Sequence, residues 1–233
     1  MEVRVGDGVE NGFTIVGDNA GNLSKSRRFW RWFDNTYDSR SVKIRRIEEK
    51  WSWWRDKELV FALFYITYLD EEKEEKSSVV FYRSDAIAVF LVLKDRNTKK
   101  KHVVLVEQTR VPAGQQLLEI PAGSVGREDD FLQTAVREIK EEVTLEITSQ
   151  DLKFMGYYFL SPGACNEKIV LYYCELEFTG QEIEALQGRL AGLKEEGENI
   201  RVRLFPLEVF EGLGVRDAKT MLAYGLYLRR SER

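Results

Sequence analysis

Residues 121–145 read PAGSVGREDDFLQTAVREIKEEVTL, and the second half of this stretch has helical spacing. Leu132, Ala135, Val136, Ile139 and Val143 fall at i, i+3, i+4, i+7 and i+11, which lines up one apolar face. Glu138, Glu141 and Glu142 fall at i, i+3 and i+4, an acidic edge of the same helix. Asp130, followed three residues later by Gln133, predicts a capping box at the helix start. Arg137 lies one turn before Glu141 and is in reach of an ion pair with it. Three carboxylates on one turn repel each other in water. A hard divalent cation offsets that repulsion, because Mg²⁺ takes oxygen ligands in octahedral array and holds substrate phosphates at the same time. A solvated acidic face on an amphipathic helix has the same spacing, so spacing alone leaves both readings open.

The glycine ahead of the helix adds to this. Gly123, Asp129 and the run Arg137-Glu138-Ile139-x-Glu141-Glu142-x-Thr144-Leu145 resemble the Nudix box, G-x5-E-x7-R-E-U-x-E-E-x-G-U, in which U is aliphatic. Two positions depart from it. Asp129 stands for a glutamate and is shorter by one methylene. Thr144 stands where a glycine normally takes a left-handed cap. A β-branched residue disfavours positive φ, so the expectation is that the helix runs on or that the turn differs.

Outward from the box, the pattern alternates strands and helices. Residues 86–94, AIAVFLVLK, and 102–108, HVVLVEQ, form a strand pair, and Gln115–Pro121 is a short strand leading into the box. Arg110 ends the second of these strands. After the helix come strands at Leu152–Leu160 and Ile169–Phe178, with a Pro- and Gly-marked loop, Ser161–Glu167, between them. Residues 181–191 have helical character. Gly192–Asn199 is a loop with three acids, Ile200–Leu204 a strand, and Ala218–Leu228 a closing amphipathic helix. This order predicts an α/β fold of α/β/α sandwich type.

Toward the N-terminus, residues 1–26 are rich in Gly, Asn and Ser with little periodicity, which predicts loose packing. Phe29-Trp30-Arg31-Trp32-Phe33 is a dense aromatic cluster, and Trp51, Trp53 and Trp54 form another. Indoles stack on bases, but they also dominate cores and subunit interfaces. Packing or a dimer contact is the favoured reading for the first cluster, and nucleotide stacking is open to the second. Leu59–Leu69 and Ser78–Arg83 read as a hairpin around the charged turn Asp70–Lys76. The expected organisation is a partly irregular extension over 1–40, a small β domain over 41–83 and a main domain over 84–233.

Composition narrows the function classes. The 233 residues carry 35 basic and 39 acidic side chains, a net charge of −4, which argues against a general nucleic-acid or anionic-membrane binder. Cys165 and Cys174 have no histidine near them and form no zinc pattern, which points to a reducing compartment. His102 is the only histidine, so acid–base chemistry falls to carboxylates or lysines. No apolar run has the length of a membrane span and no signal-peptide pattern opens the chain. The expectation is an intracellular protein, cytoplasmic or within an organelle, with no membrane and no nucleic-acid partner.

The resemblance reaches from Arg83 to Arg230 and is to the ADP-ribose and ADP-sugar pyrophosphatase branch of the Nudix superfamily. Glu107-Gln108-Thr109-Arg110-Val111-Pro112 matches its E-Q-x-R-x-P strand end, and Leu118-Glu119-Ile120-Pro121-Ala122-Gly123 its L-E-x-P-A-G approach. Ser161-Pro162-Gly163 matches its proline loop, and Gly192–Val202 its late acidic loop. Val111–Gly114 and the tail from Asp217 to Tyr227 look most like the plant-type ADP-glucose-cleaving members. The resemblance implies a Nudix α/β/α sandwich with an N-terminal β-rich extension. It implies an enzyme that needs Mg²⁺, or Mn²⁺ in its place, and cleaves an ADP-sugar to AMP and a sugar phosphate. Glu138, Glu142, Glu198 and the Ala122 carbonyl would bind the metal. Glu141 would be a further ligand or bridge, Glu196 would orient or deprotonate the attacking water, and Arg110 would hold a phosphate. Pro162 and Gly163 would line the substrate. Trp53 and Trp54, in a β domain that the branch exchanges between the subunits of a homodimer, would help to cover the base. A non-catalytic module that binds an ADP-ribose-like ligand, or an RNA-directed enzyme, are the rival readings. The intact Glu138, Glu141 and Glu142 weigh against the first, and the net negative charge against the second.

Overall fold

The computed structural model describes residues 1–5, 12–36, 42–55, 57–126, 130–193 and 199–231. The chain divides into two compact units, Met1–Ser84 with Ser161–Glu167, and Asp85–Leu160 with Lys168–Arg233.

The first unit is built on a sheet of β1 (Glu2–Val5), β2 (Phe13–Val16), β3 (Lys43–Arg55), β4 (Glu58–Leu69) and β5 (Glu75–Arg83), in that order. Strands β2 and β3 pair in parallel, and a parallel pair needs a crossover. Helices α1 (Ala20–Leu23) and α2 (Arg27–Thr36) lie in that connection. Phe29 and Trp32 of α2, three residues apart, are both buried. Trp32 stacks on Phe64 of β4 with ring centroids 5.6 Å apart, and Phe29 meets the same ring edge-on at 5.8 Å. The first aromatic cluster is therefore core packing. Residues 12–26 are not loosely packed as expected, since Phe13, Ile15, Ala20 and Leu23 are buried in the same core as Ile47, Phe64 and Tyr82. The alternation in Phe13-Thr14-Ile15-Val16 is too short to stand out between Gly- and Asn-rich flanks. Residues on both sides of position 40 share this core.

The second unit holds β6 (Ala86–Asp95), β7 (Lys101–Arg110), β8 (Gln115–Glu119), β9 (Ala122–Ser124), α3 (Phe131–Val143), β10 (Lys153–Phe159), β11 (Lys168–Phe178), α4 (Gly180–Glu184), β12 (Leu190–Ala191), β13 (Ile200–Pro206) and α5 (Ala218–Ser231). Its main sheet runs β10-β11-β6-β7-β13-β12. Strands β6 and β7 pair over Leu91–Lys94 and then part. Strand β9 lines Ala86–Ala88 of β6, and β8 lines Val106–Arg110 of β7. The short link from Glu119 to Ala122 thus passes from one strand to the other.

Both faces of this sheet are covered, which is why β6 reads as an unbroken apolar run. Ile87, Val89, Leu91 and Leu93 share a core with Ala135, Ile139 and Val143 of α3. Ala88, Phe90 and Val92 point the other way and share a core with Ala223 and Tyr227 of α5. The unit is the α/β/α sandwich expected from the sequence.

Three local expectations fail. Leu132 is 36% exposed, because the buried arc of α3 is Ala135, Glu138, Ile139, Glu142 and Val143, not the purely apolar stripe. Residues 181–191 are not one helix: α4 stops at Glu184, Gly188 takes φ 75°, and Leu190–Ala191 pair with β13. Helix α3 does not run past Thr144. Thr144 itself adopts the left-handed cap, φ 61° and ψ 30°, and its hydroxyl accepts a hydrogen bond from Arg189 at 2.6 Å. Among the described residues no helix is long and apolar enough to cross a membrane.

Candidate active site

Helix α3 places the acids. Asp130 caps its start, with Oδ1 accepting from the Gln133 amide at 2.6 Å. The apolar side of the helix is pinned to β6, and the same rotation turns Glu138 and Glu142, one turn apart, inward. Glu142 is only 2% exposed and Glu138 8%. Burying a carboxylate is costly unless polar groups meet it. Glu142 Oε2 accepts from the Ala122 amide at 2.9 Å. Glu138 Oε1 lies 2.9 Å from Arg137 Nη2, while Arg137 Nη1 donates to Glu141 Oε2 at 2.7 Å. One guanidinium therefore spans two of the three glutamates. Glu138 also fills the space beside Gly123, where a Cβ would stand 1.9 Å from its Oε1. That is the physical demand for glycine at the head of the box.

A second group of charges lies on the β7–β8 side. Arg110 Nε and Nη2 donate to Glu119 Oε1 and Oε2 at 2.7 and 2.9 Å, a bidentate pair. Lys219 of α5 also donates to Glu119 Oε2 and pairs with Asp217 at 3.0 Å. Burial pushes the Glu119 carboxyl upward, but the Arg110 hydrogen bonds and the charge of Lys219 outweigh it and hold it below the usual carboxylate range. The Glu119 hydrogen bonds in turn raise Arg110, with Glu142 and Asp217 adding to the effect. Arg110 thus lies within the field of Glu142.

The structure brings Arg110, Ala122, Glu138, Glu141 and Glu142 into the second unit. Trp53, Trp54, Pro162 and Gly163 belong to the first. Trp53 is 41% exposed and lies side by side with Phe61, centroids 5.7 Å apart, which in turn lies beside Phe81 at 5.8 Å. Trp54 packs against the core of its unit, and its indole N–H donates to Ser52 at 2.7 Å. The Pro162–Gly163 loop is tied to β5. Asn166 accepts from the Arg83 amide at 2.8 Å and donates to the Arg83 carbonyl at 2.9 Å, and Phe81 donates to the Ala164 carbonyl at 2.7 Å. Asp129, Glu196 and Glu198 lie outside the described residues.

Sequence reading gave no role to Glu119, Lys219, Asp217 or Asn166. The available signal was a single acid in the apolar run Leu117-Leu118-Glu119-Ile120-Pro121, where a buried charge demands a partner. Among the described residues no three Asp, Glu, His or Cys side chains gather as a metal cluster. What α3 and β9 do offer is hard oxygen: two buried carboxylates and the backbone beside them, a donor type that fits Mg²⁺ or Mn²⁺.

The chain is similar to known proteins in sequence and in fold. The chain is 36% identical over 183 residues to Nudix hydrolase 14, chloroplastic, of Arabidopsis thaliana, which is 73% of this chain and 58% of that protein. It is 29% identical over 169 residues to an ADP-ribose pyrophosphatase of Bacillus subtilis, covering 70% of this chain and 82% of that one. A crystal structure of an ADP compounds hydrolase superposes with a TM-score of 0.58 at 15% identity, over 84% of this chain and 97% of the other; at that identity the likeness is one of fold. The NUDIX domain model matches residues 84–224. Those residues are the ones that form the sheet buried on both faces and the inward-turned acids, and the chain belongs to the Nudix family.

Proposed function

We propose that the chain is a hydrolase that cleaves the diphosphate linkage of an ADP-sugar, ADP-ribose or ADP-glucose, to AMP and a sugar phosphate. The observation that carries this is the pair Glu138 and Glu142, buried one turn apart against Ala122 and Gly123. A solvated acidic face would leave both carboxylates in water. The resemblance of the flanking segments to the ADP-sugar branch supports the substrate class, as does the similarity to an ADP-ribose pyrophosphatase.

Glu138, Glu142, the Ala122 carbonyl and Glu198 would hold Mg²⁺, or Mn²⁺. When bound, the cation would neutralise diphosphate charge and lower the pKa of a water. The chain's own groups do the rest. Arg110 would hold a phosphate oxygen with the part of its guanidinium that Glu119 does not occupy. Glu141, kept in place by Arg137, would complete the acidic edge as ligand or bridge. Glu196 would orient the attacking water and take its proton. Pro162 and Gly163 would line the substrate, and Trp53 and Trp54 would cover the base, with Trp53 the more accessible ring. Trp51, Trp53, Tyr65, Val79 and Phe81 leave an apolar face exposed on the first unit, which supports a homodimer; a sizing column tests it. Free Cys165 and Cys174 fit a reducing, intracellular setting.

The test is incubation with Mg²⁺ and, separately, ADP-ribose, ADP-glucose, UDP-glucose, GDP-mannose and capped RNA, with identification of products. AMP and a sugar phosphate from an ADP-sugar are expected. Tight binding without AMP release, or cleavage of capped RNA alone, would overturn the proposal.

A further inference from the structure

We infer that Lys219 is a positioning residue for Arg110, acting through the buried carboxylate of Glu119. The inference rests on the reading that Arg110 meets the substrate diphosphate. The Glu119 side chain is 2% exposed, and an unpaired carboxylate there would be strongly disfavoured. Arg110 alone supplies a bidentate partner. Yet a second cation, Lys219, is brought to the same oxygen, Oε2, from the first turn of α5, with its own side chain only 10% exposed.

The start of α5 is built to deliver it. Asp217 Oδ1 pairs with Lys219 at 3.0 Å. Asp217 Oδ2 accepts from the Thr220 amide at 3.0 Å and from its hydroxyl at 2.5 Å. The Thr220 oxygen accepts from the Ile120 amide at 2.8 Å. Two consecutive residues of α5 therefore grip two consecutive residues of the β8–β9 link: Lys219 the Glu119 side chain, Thr220 the Ile120 backbone. Helix α5 already has apolar anchors in Ala223 and Tyr227, so docking the helix does not by itself call for a buried lysine.

The consequence falls on Arg110. Its side chain stays 41% exposed, and the fork to Glu119 uses Nε and Nη2, leaving Nη1 outside that pair. A phosphate drawing on this guanidinium competes with Glu119 for it. With Lys219 in place Glu119 remains compensated and fixed in plane, so the fork holds and Nη1 keeps one direction. Without Lys219 the Glu119 carboxylate is under-compensated and no longer held in plane, so the fork to Arg110 loosens and Nη1 loses the one direction in which it meets the phosphate.

The test uses the full chain and reads both kinetics and the Arg110 side chain. In Lys219→Met, KM for the ADP-sugar that is cleaved should rise about tenfold while kcat stays within about threefold, the pattern of lost ground-state binding. Lys219→Arg should restore most of it. In ¹⁵N NMR the Arg110 Nε–H should be a sharp, exchange-protected resonance in the wild type and should broaden or vanish in Lys219→Met. An unchanged KM in a folded Lys219→Met protein overturns the inference, and so does a preserved Arg110 resonance. Should Lys219→Met fail to fold, Lys219→Gln, which removes the charge but keeps a polar group in the same place, decides by the same two readouts: both changed supports the inference, either unchanged overturns it. If the wild type cleaves none of the ADP-sugars, the functional reading falls, while the resonance still shows whether Lys219 holds the guanidinium.

Discussion

Gly123 and Glu138 occupy each other's space: a Cβ on residue 123 would lie 1.9 Å from Glu138 Oε1 and 2.0 Å from its Cδ. The obstructing atoms are the end of a side chain, so Gly123→Ala is expected to displace the carboxylate and leave the fold intact. Turnover should fall by about two orders of magnitude, the scale seen when a site group is misplaced by about 1 Å, with the melting temperature nearly unchanged. Steady-state kinetics beside a thermal melt checks this. A large loss of stability with activity per folded molecule retained would count against it.

Glu142 and Asp129 should behave differently. Glu142 is buried and bonded to the Ala122 amide. Glu142→Gln keeps the shape and removes the charge, and should lower turnover by about a hundredfold or more. Asp129→Ala should cost far less, on the order of tenfold, the low end for an outer residue. Comparable losses in the two variants would overturn the assignment of roles.

Thr144 closes α3 at φ 61°, a conformation that costs a β-branched residue about 1 kcal/mol or more. Thr144→Gly should therefore stabilise the protein by about 0.5–1 kcal/mol, after the loss of the exposed Arg189 hydrogen bond and the added freedom of the unfolded chain. Urea denaturation measures the gain, and kcat/KM should not change. A destabilised variant would mean that the Arg189 contact outweighs the backbone strain.

Tyr227, Lys101 and Glu175 join α5 to the sheet. Tyr227 donates to Glu175 at 2.5 Å, and Lys101 donates to both. Burial, with the Glu175 hydrogen bond, pushes the Tyr227 phenol up to about 12. Lys101 is raised too: its bonds to Tyr227 and Glu175 outweigh the opposing effect of burial. Both groups hold their protons more tightly when folded, so their contribution is full below pH about 10 and is lost as pH climbs toward about 12. Tyr227→Phe should flatten that alkaline decline, as read by chemical denaturation at a series of pH values. An equally steep decline in the variant would remove Tyr227 as its source.

Trp32 and Trp53 separate core from surface. Trp32→Ala empties a buried stack on Phe64 and should cost the first unit about 3–5 kcal/mol. Trp53→Ala removes a ring that is 41% exposed, and should cost about 1 kcal/mol while raising KM for the ADP-sugar. A Trp53→Ala enzyme with wild-type KM would remove that ring from the base site.

The sandwich was legible because β6 is apolar on both faces and α3 repeats at helical spacing, signals set by burial alone. The acids were legible as a motif, but their burial was not. Periodicity put Leu132 on the inner face and left Glu138 and Glu142 at an edge, whereas packing against β6 rotates the helix so that the glutamates enter and Leu132 leaves. Residues 185–191 misled because their composition suits a helix, and only pairing with β13, distant in sequence, draws them out. The Glu119–Lys219 pair joins residues 100 apart, and no local pattern encodes such a contact.

The side chain of Asn166 reproduces, on the backbone of Arg83, the two bonds that a neighbouring strand would make. These partners are 83 residues apart. On the ribosome, then, β5 emerges long before its cover does, and the nascent sheet presents a bare edge to any other unfinished copy nearby. A fragment cut at residue 84 would inherit the same exposed edge, so the first unit is a poor candidate for excision, and aggregation during expression should be sensitive to Asn166.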